Sequence, residues 1–306
     1  MNAPTNGKPD HFLFVSAAPH IRGRESVPRT MLITLAALVP VIGVSAAQNG
    51  VRALLIIALS MAAAAATEWV FRCVAEKRPV MIDGSAGLTG LLLACSLPPQ
   101  VPLWMAPLGS LFAIAIVKMA FGGLGRNFLN PALAGRAFCV LSFPMVFAAA
   151  FMPVSGETLL NLVTGYQGGW IGGSSAGALL LGAVVLWCLR FIDFTLPLAF
   201  IGSSFVLFWL AGEGHGPVSA LFQINTGGLL LGAFFMATDP VTSPKAPLAR
   251  LLFGTGCGVL AFIFRRFGST NDAVMYAVLL MNCMVPYLDR YCSRRPMGVC
   301  KRCATN

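Results

Sequence analysis

The sequence predicts an all-α integral membrane protein with ten transmembrane helices in two inverted repeats of five spans. Composition is the first reason: 57% of the 306 residues are hydrophobic, only 10% are charged, and the mean hydropathy is +0.78. Such values are typical of chains embedded in a bilayer. The second reason is a repeat, because residues 87–116 and 227–256 share nearly the same order of apolar, glycine and proline positions.

The ten spans are predicted from apolar runs. They lie near residues 31–47, 52–71, 85–97, 103–121, 132–151, 174–189, 194–211, 226–237, 247–264 and 272–288. They divide the chain into an N-terminal segment (1–29), a first five-span repeat (30–151), an outer-face linker (152–173), a second five-span repeat (174–288) and a C-terminal tail (289–306). Because each repeat has an odd number of spans, the second repeat is expected to enter the membrane from the opposite side.

Each repeat contains a short apolar helix that stops at proline. Pro98 and Pro99 end the first helix and Pro240 ends the second, and Ala-Pro-Leu opens the following span at 106–108 and 246–248. Proline removes a backbone donor and disfavours helix before it, so the chain must be sheltered at such a break within the membrane. Matching breaks in two halves indicate a central site. The alternative is a pair of ordinary hairpins with prolines in their loops.

Lysine and arginine residues lie mainly in short loops and tails, and they set the predicted orientation. The positive-inside rule places both termini in the cytoplasm, although Arg265 and Arg266 after the ninth span depart from it. The net charge of +10 therefore reports membrane orientation and not binding of nucleic acid. The cations that decide the orientation are Arg22, Arg24, Arg29, Arg72, Lys77, Arg78, Lys118, Arg126, Arg290, Arg294, Arg295, Lys301 and Arg302.

Neither catalytic residues nor a metal site is predicted from the residues themselves. The linker segment Ser155-Gly156-Glu157-Thr158 has no histidine or aspartate arranged for catalysis and is expected to be a polar outer loop. The tail offers Cys292, Cys300 and Cys303, but zinc and iron–sulfur clusters generally need four ligands. NAD binding is not expected, since no GxGxxG motif follows a predicted strand.

Six stretches distributed over the whole chain resemble one family of membrane proteins. The chain resembles RnfD, the membrane subunit of Rnf ion-translocating ferredoxin:NAD+ oxidoreductases, and more distantly NqrB of the sodium-pumping NADH:quinone reductase. The predicted inverted five-span repeat with its broken helices resembles the architecture of urea transporters. The stretches are SAAPH at 16–20, DGS through LPP at 83–99, GGLGRNFLNPALAGRAF at 122–138, GGWIG from 168, MATDPVTSP at 236–244 and NCMVPYLDRY at 282–291.

The resemblance implies a flavoprotein of the bacterial inner membrane. It would pass electrons between ferredoxin and NAD+ in a complex with membrane, iron–sulfur and flavin-bearing subunits, coupled to Na+ or H+ translocation. FMN would be joined through its phosphate to Thr158 by a separate flavin transferase, within the motif that includes Ser155 and Gly156. Glu157 and Met152 stand where the family commonly has alanine and aspartate, which leaves open a relative without covalent FMN.

Residues 122–130 are candidates for contacts with a flavin. The sequence does not locate a second, noncovalent flavin such as riboflavin residue by residue. Gly122 and Gly123 would allow the backbone to approach a ring closely, and Asn127, Asn130 and Arg126 could bind its polar atoms. For Asn130 the alternative is an N-cap with Pro131 at the first helical position.

Three carboxylates near or within the membrane are candidates for an ion pathway, because buried charges there are costly. They are Glu68, Asp83 and Asp239. Glu68 could instead pair with Arg72, and Asp239 with Lys245 or Arg250. A solute channel or transporter remains the alternative function, and a bound flavin would distinguish a redox subunit from it.

Overall fold

A computed structural model describes residues 26–76, 83–150, 169–173, 175–211, 216–226, 228–268 and 272–292. The regular structure in these residues is helical throughout, which confirms the all-α prediction. The helices are α1 (Val27–Ala37), α2 (Val39–Phe71, followed by a π-helical turn Arg72–Glu76), α3 (Ser85–Cys95), α4 (Met105–Phe112, continued by π-helical turns Ala113–Met119), α5 (Pro131–Ser142), α6 (Pro144–Ala150), α7 (Ala176–Cys188), α8 (Thr195–Ala211), α9 (Pro217–Asn225), α10 (Leu229–Leu231, continued by π-helical turns Gly232–Met236), α11 (Pro247–Phe267) and α12 (Ala273–Cys292), with a 3₁₀ turn at Ile171–Gly173.

Apolar helices of membrane-spanning character are present, as predicted. The runs Val27–Val74 and Pro247–Phe267 are long and apolar enough to cross a bilayer, and Pro217–Asn225 with Leu229–Met236 forms a bent third candidate. Gly50, at φ 65° and ψ −157°, divides the first run into two arms. The other apolar helices have 10–17 residues, so the count of ten spans and the inverted order stay predictions.

Proline sets the start of several helices. It occupies one of the first two helical positions of α1, α2, α5, α9 and α11, where its fixed φ suits a helix and its missing N–H is not needed. The structure therefore uses many of the prolines to start helices. Pro98 and Pro240 do the opposite and stand just after the short helices α3 and α10.

Both short helices are buried, and the first break is sheltered as predicted. The 11 residues of α3 extend only about 16 Å, roughly half of a hydrocarbon core. The backbone N–H of Ile171 donates to Leu97 O at 2.9 Å. The guanidinium of Arg52 donates to the carbonyls of Pro99 (2.9 Å), Gln100 (3.3 Å) and Val101 (3.0 Å). The carbonyls freed by the break are thus bonded by other parts of the protein.

Glycines allow the helices to pack closely. A Cβ on Gly90 of α3 would lie 2.8 Å from Ser60 O of α2, and one on Gly135 of α5 would lie 2.6 Å from Gly109 O of α4. A Cβ on Gly254 of α11 would likewise lie 2.5 Å from Leu196 O of α8. Small residues at helix contacts are the usual device of membrane bundles, where apolar lipid gives helices little reason to associate.

Candidate functional site

A buried network of charged side chains joins α2, α3 and the end of the α4 extension. Lys118 is 1% exposed, and its Nζ lies 3.0 Å from Glu68 Oε1 and 2.5 Å from Ser85 Oγ. Arg72 Nη2 lies 2.6 Å from the same Glu68 oxygen and 3.2 Å from Asp83 Oδ2. Two cations therefore balance two carboxylates, and Lys118 and Glu68 among them are buried.

This network gives Glu68 and Asp83 structural partners. The pairing of Glu68 with Arg72 is confirmed, and Asp83 also accepts hydrogen bonds from the backbone N and the hydroxyl of Ser85, at 3.1 and 2.6 Å. The residue that sequence reasoning missed is Lys118, which was used only to set orientation. The available signal was its place within the otherwise apolar run AIAIVKMAF.

Asp239 follows the π-helical turns that end the second broken helix. Its Oδ2 accepts a hydrogen bond from Thr242 Oγ1 at 3.0 Å, and the ion pairs among the described residues do not include it. Arg250 bonds Asp193 Oδ2 at 2.6 Å and Pro244 O at 3.1 Å. Of the two cations suggested for Asp239, Arg250 thus has a different carboxylate partner.

Asn130 fixes the start of α5 and also contacts the second broken helix. Its Oδ1 accepts from the backbone N of Ala132 and Leu133, at 3.0 and 3.3 Å, so the N-cap interpretation is confirmed. Its Nδ2 donates to Met236 O at 3.0 Å. Asn127 donates to Leu129 O at 3.1 Å, while its buried Oδ1 has no partner among the described residues.

Two adjacent cavities bring these polar groups together. One, of about 40 Å³, is lined by Ser85, Lys118, Asn127, Asn130 and Asp239, among others. The second, of about 90 Å³, includes Asp239, and both cavities share Met31, Leu88 and Leu92. Since one water occupies about 30 Å³ of liquid, these spaces suit a few waters or a small ion. Asp239 lies where the two cavities meet.

The turn before α5 needs glycine at positions 122 and 123 because of its backbone conformation. Gly122 and Gly123 adopt φ of 106° and 88°, in the left-handed region that favours glycine. A Cβ on Gly122 would lie 2.8 Å from Cδ of Arg126, and Arg126 is exposed. The structure therefore gathers Asn127, Asn130 and Asp239 but leaves Arg126 at the surface. Ser155, Gly156 and Thr158 lie outside the described residues.

Comparison with known proteins extends over almost the whole chain. The sequence profile of the NQR2, RnfD, RnfE family matches residues 14–298. This chain belongs to that family. It is 37% identical to the D subunit of the Na(+)-translocating ferredoxin:NAD(+) oxidoreductase complex of Acetobacterium woodii, over 94% of this chain and 96% of the relative. It is 34% identical to the D subunit of the corresponding proton-translocating complex of Clostridium ljungdahlii and 36% identical to that of the ion-translocating oxidoreductase complex of Stutzerimonas stutzeri, each over 90% of this chain and 93% of the relative.

A second buried ion pair lies deeper in this RnfD-family chain. Arg136 of α5 is 1% exposed and donates to Ser96 O, at the end of α3, and to Asp272 Oδ1, just before α12. Its guanidinium carbon lies 3.5 Å from the centre of the Trp170 ring, in a cation–π contact. The pairing is not predictable from the sequence, because Arg136 and Asp272 lie 136 positions apart.

The two ends of the bundle differ in their number of lysine and arginine residues. The end that holds Asp239 also carries Arg72, Lys118, Arg126, Arg190, Lys245, Arg250 and Arg290, whereas Arg52, Arg265 and Arg266 lie toward the other end. At the basic end, between the α7–α8 turn and the link from α10 to α11, lies a cavity of about 400 Å³. Burial raises the pKa of Asp193 in its wall, but hydrogen bonds from Arg250 and Thr195 more than offset this and hold that pKa below its usual value. Asp193 therefore stays ionised at neutral pH.

Proposed function

We propose that the chain is the D subunit of an Rnf-type complex, a membrane flavoprotein that relays electrons between ferredoxin and NAD+ through FMN. The observation that carries the proposal is the similarity, over 94% of the chain, to the D subunit of a ferredoxin:NAD(+) oxidoreductase complex. The other membrane, iron–sulfur and flavin-bearing subunits would be its partners, and a flavin transferase would mature it. Relatives named for Na+ and for proton translocation both match, so either ion fits.

The proposed setting is the bacterial inner membrane with both termini in the cytoplasm. The basic end of the bundle supports this orientation, since cations favour the cytoplasmic side. The repeat is supported by the two backbone carbonyls at the ends of the broken helices. Ser96 O and Met236 O lie 140 positions apart (236 − 96), the same spacing as the repeats, and each accepts a hydrogen bond from a buried side chain of α5 or its N-cap.

Covalent FMN at Thr158 is proposed from the motif Ser155-Gly156-Glu157-Thr158. A threonine hydroxyl can form a phosphoester, and FMN bound in this way supplies one- or two-electron transfer on the linker. Replacing Thr158 with valine keeps the shape of the side chain but removes the oxygen that would bond the phosphate. We expect the flavin fluorescence of the denatured protein, isolated from its native host on a gel, to be lost completely.

Thr164→Val is the matched control, because it removes a hydroxyl from the same linker without touching the motif. Its band should fluoresce as the unchanged protein does. A fluorescent Thr158→Val band would reject the attachment site. A dark band in the unchanged protein would favour a relative without covalent FMN, and the absence of any copurifying flavin would favour a solute channel.

Asp239 is proposed as the carboxylate that holds the coupling ion or proton. It ends a broken helix, lines both small cavities and lies outside the ion pairs that neutralise Glu68 and Asp83. In membrane vesicles, Asp239→Asn should lower ion uptake driven by ferredoxin oxidation by about tenfold or more, since the charge is lost. Flavin content should not change.

Asp289→Asn provides the comparison for that experiment. Asp289 accepts from the backbone N of Lys245 at 2.9 Å, and asparagine retains an acceptor there. Equal losses of ion uptake in the two variants would mean that the effect is not specific to Asp239. The assignment of Asp239 as the ion-binding carboxylate would then be wrong.

The size of the cavities beside Asn127 limits the proposal of a second flavin. The unpartnered Oδ1 of Asn127 suits a ring N–H. The volumes of about 40 and 90 Å³ do not fit a three-ring system with the side chains as placed. Water or a small ion fits them, so no electron-transfer step is assigned to this position.

A further inference from the structure

The cavity of about 400 Å³ at the basic end of the bundle has a role that the proposed electron relay does not use. We infer that it binds the phosphate headgroup of an anionic phospholipid, next to the mouth of the second broken helix. The charges of the wall, the exposed helix face that leads to the cavity and the position of Pro240 all suit such a ligand.

The wall of the cavity is suited to a phosphate. Arg190, Lys245 and Arg250 line it, against one carboxylate, Asp193. Arg250 is already bonded to Asp193, so the net positive charge is carried by Arg190 and Lys245, which are both exposed. Ser243 adds a hydroxyl donor. Basic pockets between transmembrane helices on the cytoplasmic side are places where acidic lipid headgroups bind.

A further carboxylate, Asp289, lies outside the wall. Asp289 accepts hydrogen bonds from the backbone N of Lys245 and Ala246, at 2.9 and 3.5 Å. It therefore stabilises the start of α11 and does not line the cavity.

An exposed apolar face of α7 favours a phospholipid over a soluble phosphate as the ligand. Leu180, Val184 and Trp187 are 45%, 49% and 54% exposed, and their spacing of four and three residues places them on one side of the helix. Trp187 also lines the cavity, so the apolar face leads directly to the basic wall. A phospholipid has both parts, with acyl chains along α7 and its phosphate between Arg190 and Lys245. Tryptophan is enriched at the membrane–water interface, where lipid headgroups lie.

The cavity also touches the broken helix. Thr238 and Pro240, on either side of Asp239, line it. A bound headgroup would rest against the segment that carries the candidate ion-binding carboxylate and hold it in place. Binding of the lipid can be measured without any assay of electron transfer, so it stands or fails independently of the proposed function.

The test is a titration of the purified full-length chain in detergent with short-chain phosphatidylglycerol, followed by thermal unfolding. A ligand that binds the folded state raises the melting temperature in a saturable way. We expect such a rise for the unchanged protein. For Arg190→Gln/Lys245→Gln we expect an apparent affinity roughly 30-fold weaker, since two cations facing the phosphate are lost.

Arg266→Gln/Arg290→Gln is the control, because it removes the same net charge at two residues that do not line the cavity. It should bind as the unchanged protein does. Equal affinity in all three proteins, or saturable binding of phosphatidylcholine with the same affinity, would overturn the inference. Competition by inorganic phosphate or free FMN at similar concentration would assign the cavity to a soluble anion and overturn the lipid assignment. If the cavity variant unfolds without lipid at the temperature of the unchanged protein, its weaker response is a loss of binding.

Discussion

Replacing Arg136 with methionine should lower the free energy of unfolding by about 3–5 kcal/mol, which is the range for breaking a buried pair by removing one partner. The change leaves Asp272 inside the protein without its cation. It also leaves Ser96 O at the end of α3 without its donor and removes the group that packs over Trp170. Denaturation of the purified protein by a graded series of sodium dodecyl sulfate would measure the loss.

Two variants separate the ion pair from simple loss of volume. Arg136→Met/Asp272→Asn removes the stranded charge, so it should recover part of the stability that Arg136→Met loses. Arg126→Met makes the same substitution at an exposed arginine and should stay within about 0.5 kcal/mol of the unchanged protein. If the Arg136 and Arg126 variants were equally stable, the buried pair would have no structural role.

Replacing Lys118 with methionine is the second large effect, expected at about 3 kcal/mol. Glu68 would lose the contact at 3.0 Å and Ser85 Oγ its contact at 2.5 Å. The effect lies at the low end of the range because Arg72 still bonds Glu68 at 2.6 Å. The same denaturant series would measure it.

A double-mutant cycle tests whether Lys118 acts through Glu68. Lys118→Met, Glu68→Gln and the double variant should give a coupling free energy of about 1–3 kcal/mol, because the two side chains are in contact. Additive losses would mean that Lys118 matters through packing or through Ser85 alone. Flavin content should follow the amount of folded protein in each case.

The local parts of the architecture could be predicted from sequence because they depend on neighbouring residues. Pro98 and Pro240 mark the ends of the short helices, and Asn130 with Pro131 marks the start of α5. The pairing of Glu68 with Arg72 follows from a spacing of four residues on one helix. The family was likewise predictable, because its motifs are spread over the chain.

The contacts between distant residues could not be predicted in the same way. Lys118 meets Glu68 across 50 positions, and Arg136 meets Asp272 across 136 positions. Neither separation follows from a helical period, since both depend on how the helices pack. A sequence shows that a lysine within an apolar run needs a partner, but several carboxylates could supply it. For the same reason the cavities at Asp239 and Arg190 emerge only from the packed structure.

A single helix with its N-cap, α5, touches the ends of both broken helices, since Asn130 bonds Met236 O and Arg136 bonds Ser96 O. Six residues along a helix rise only about 9 Å, against a hydrocarbon core of about 30 Å. If water reaches each break from its own side, most of the membrane voltage falls across that thin layer of protein. Moving one elementary charge between the breaks would then change its electrostatic free energy by about 2.3 kcal/mol for each 100 mV of membrane potential. Asp239 would then lie at one edge of the region across which the voltage falls.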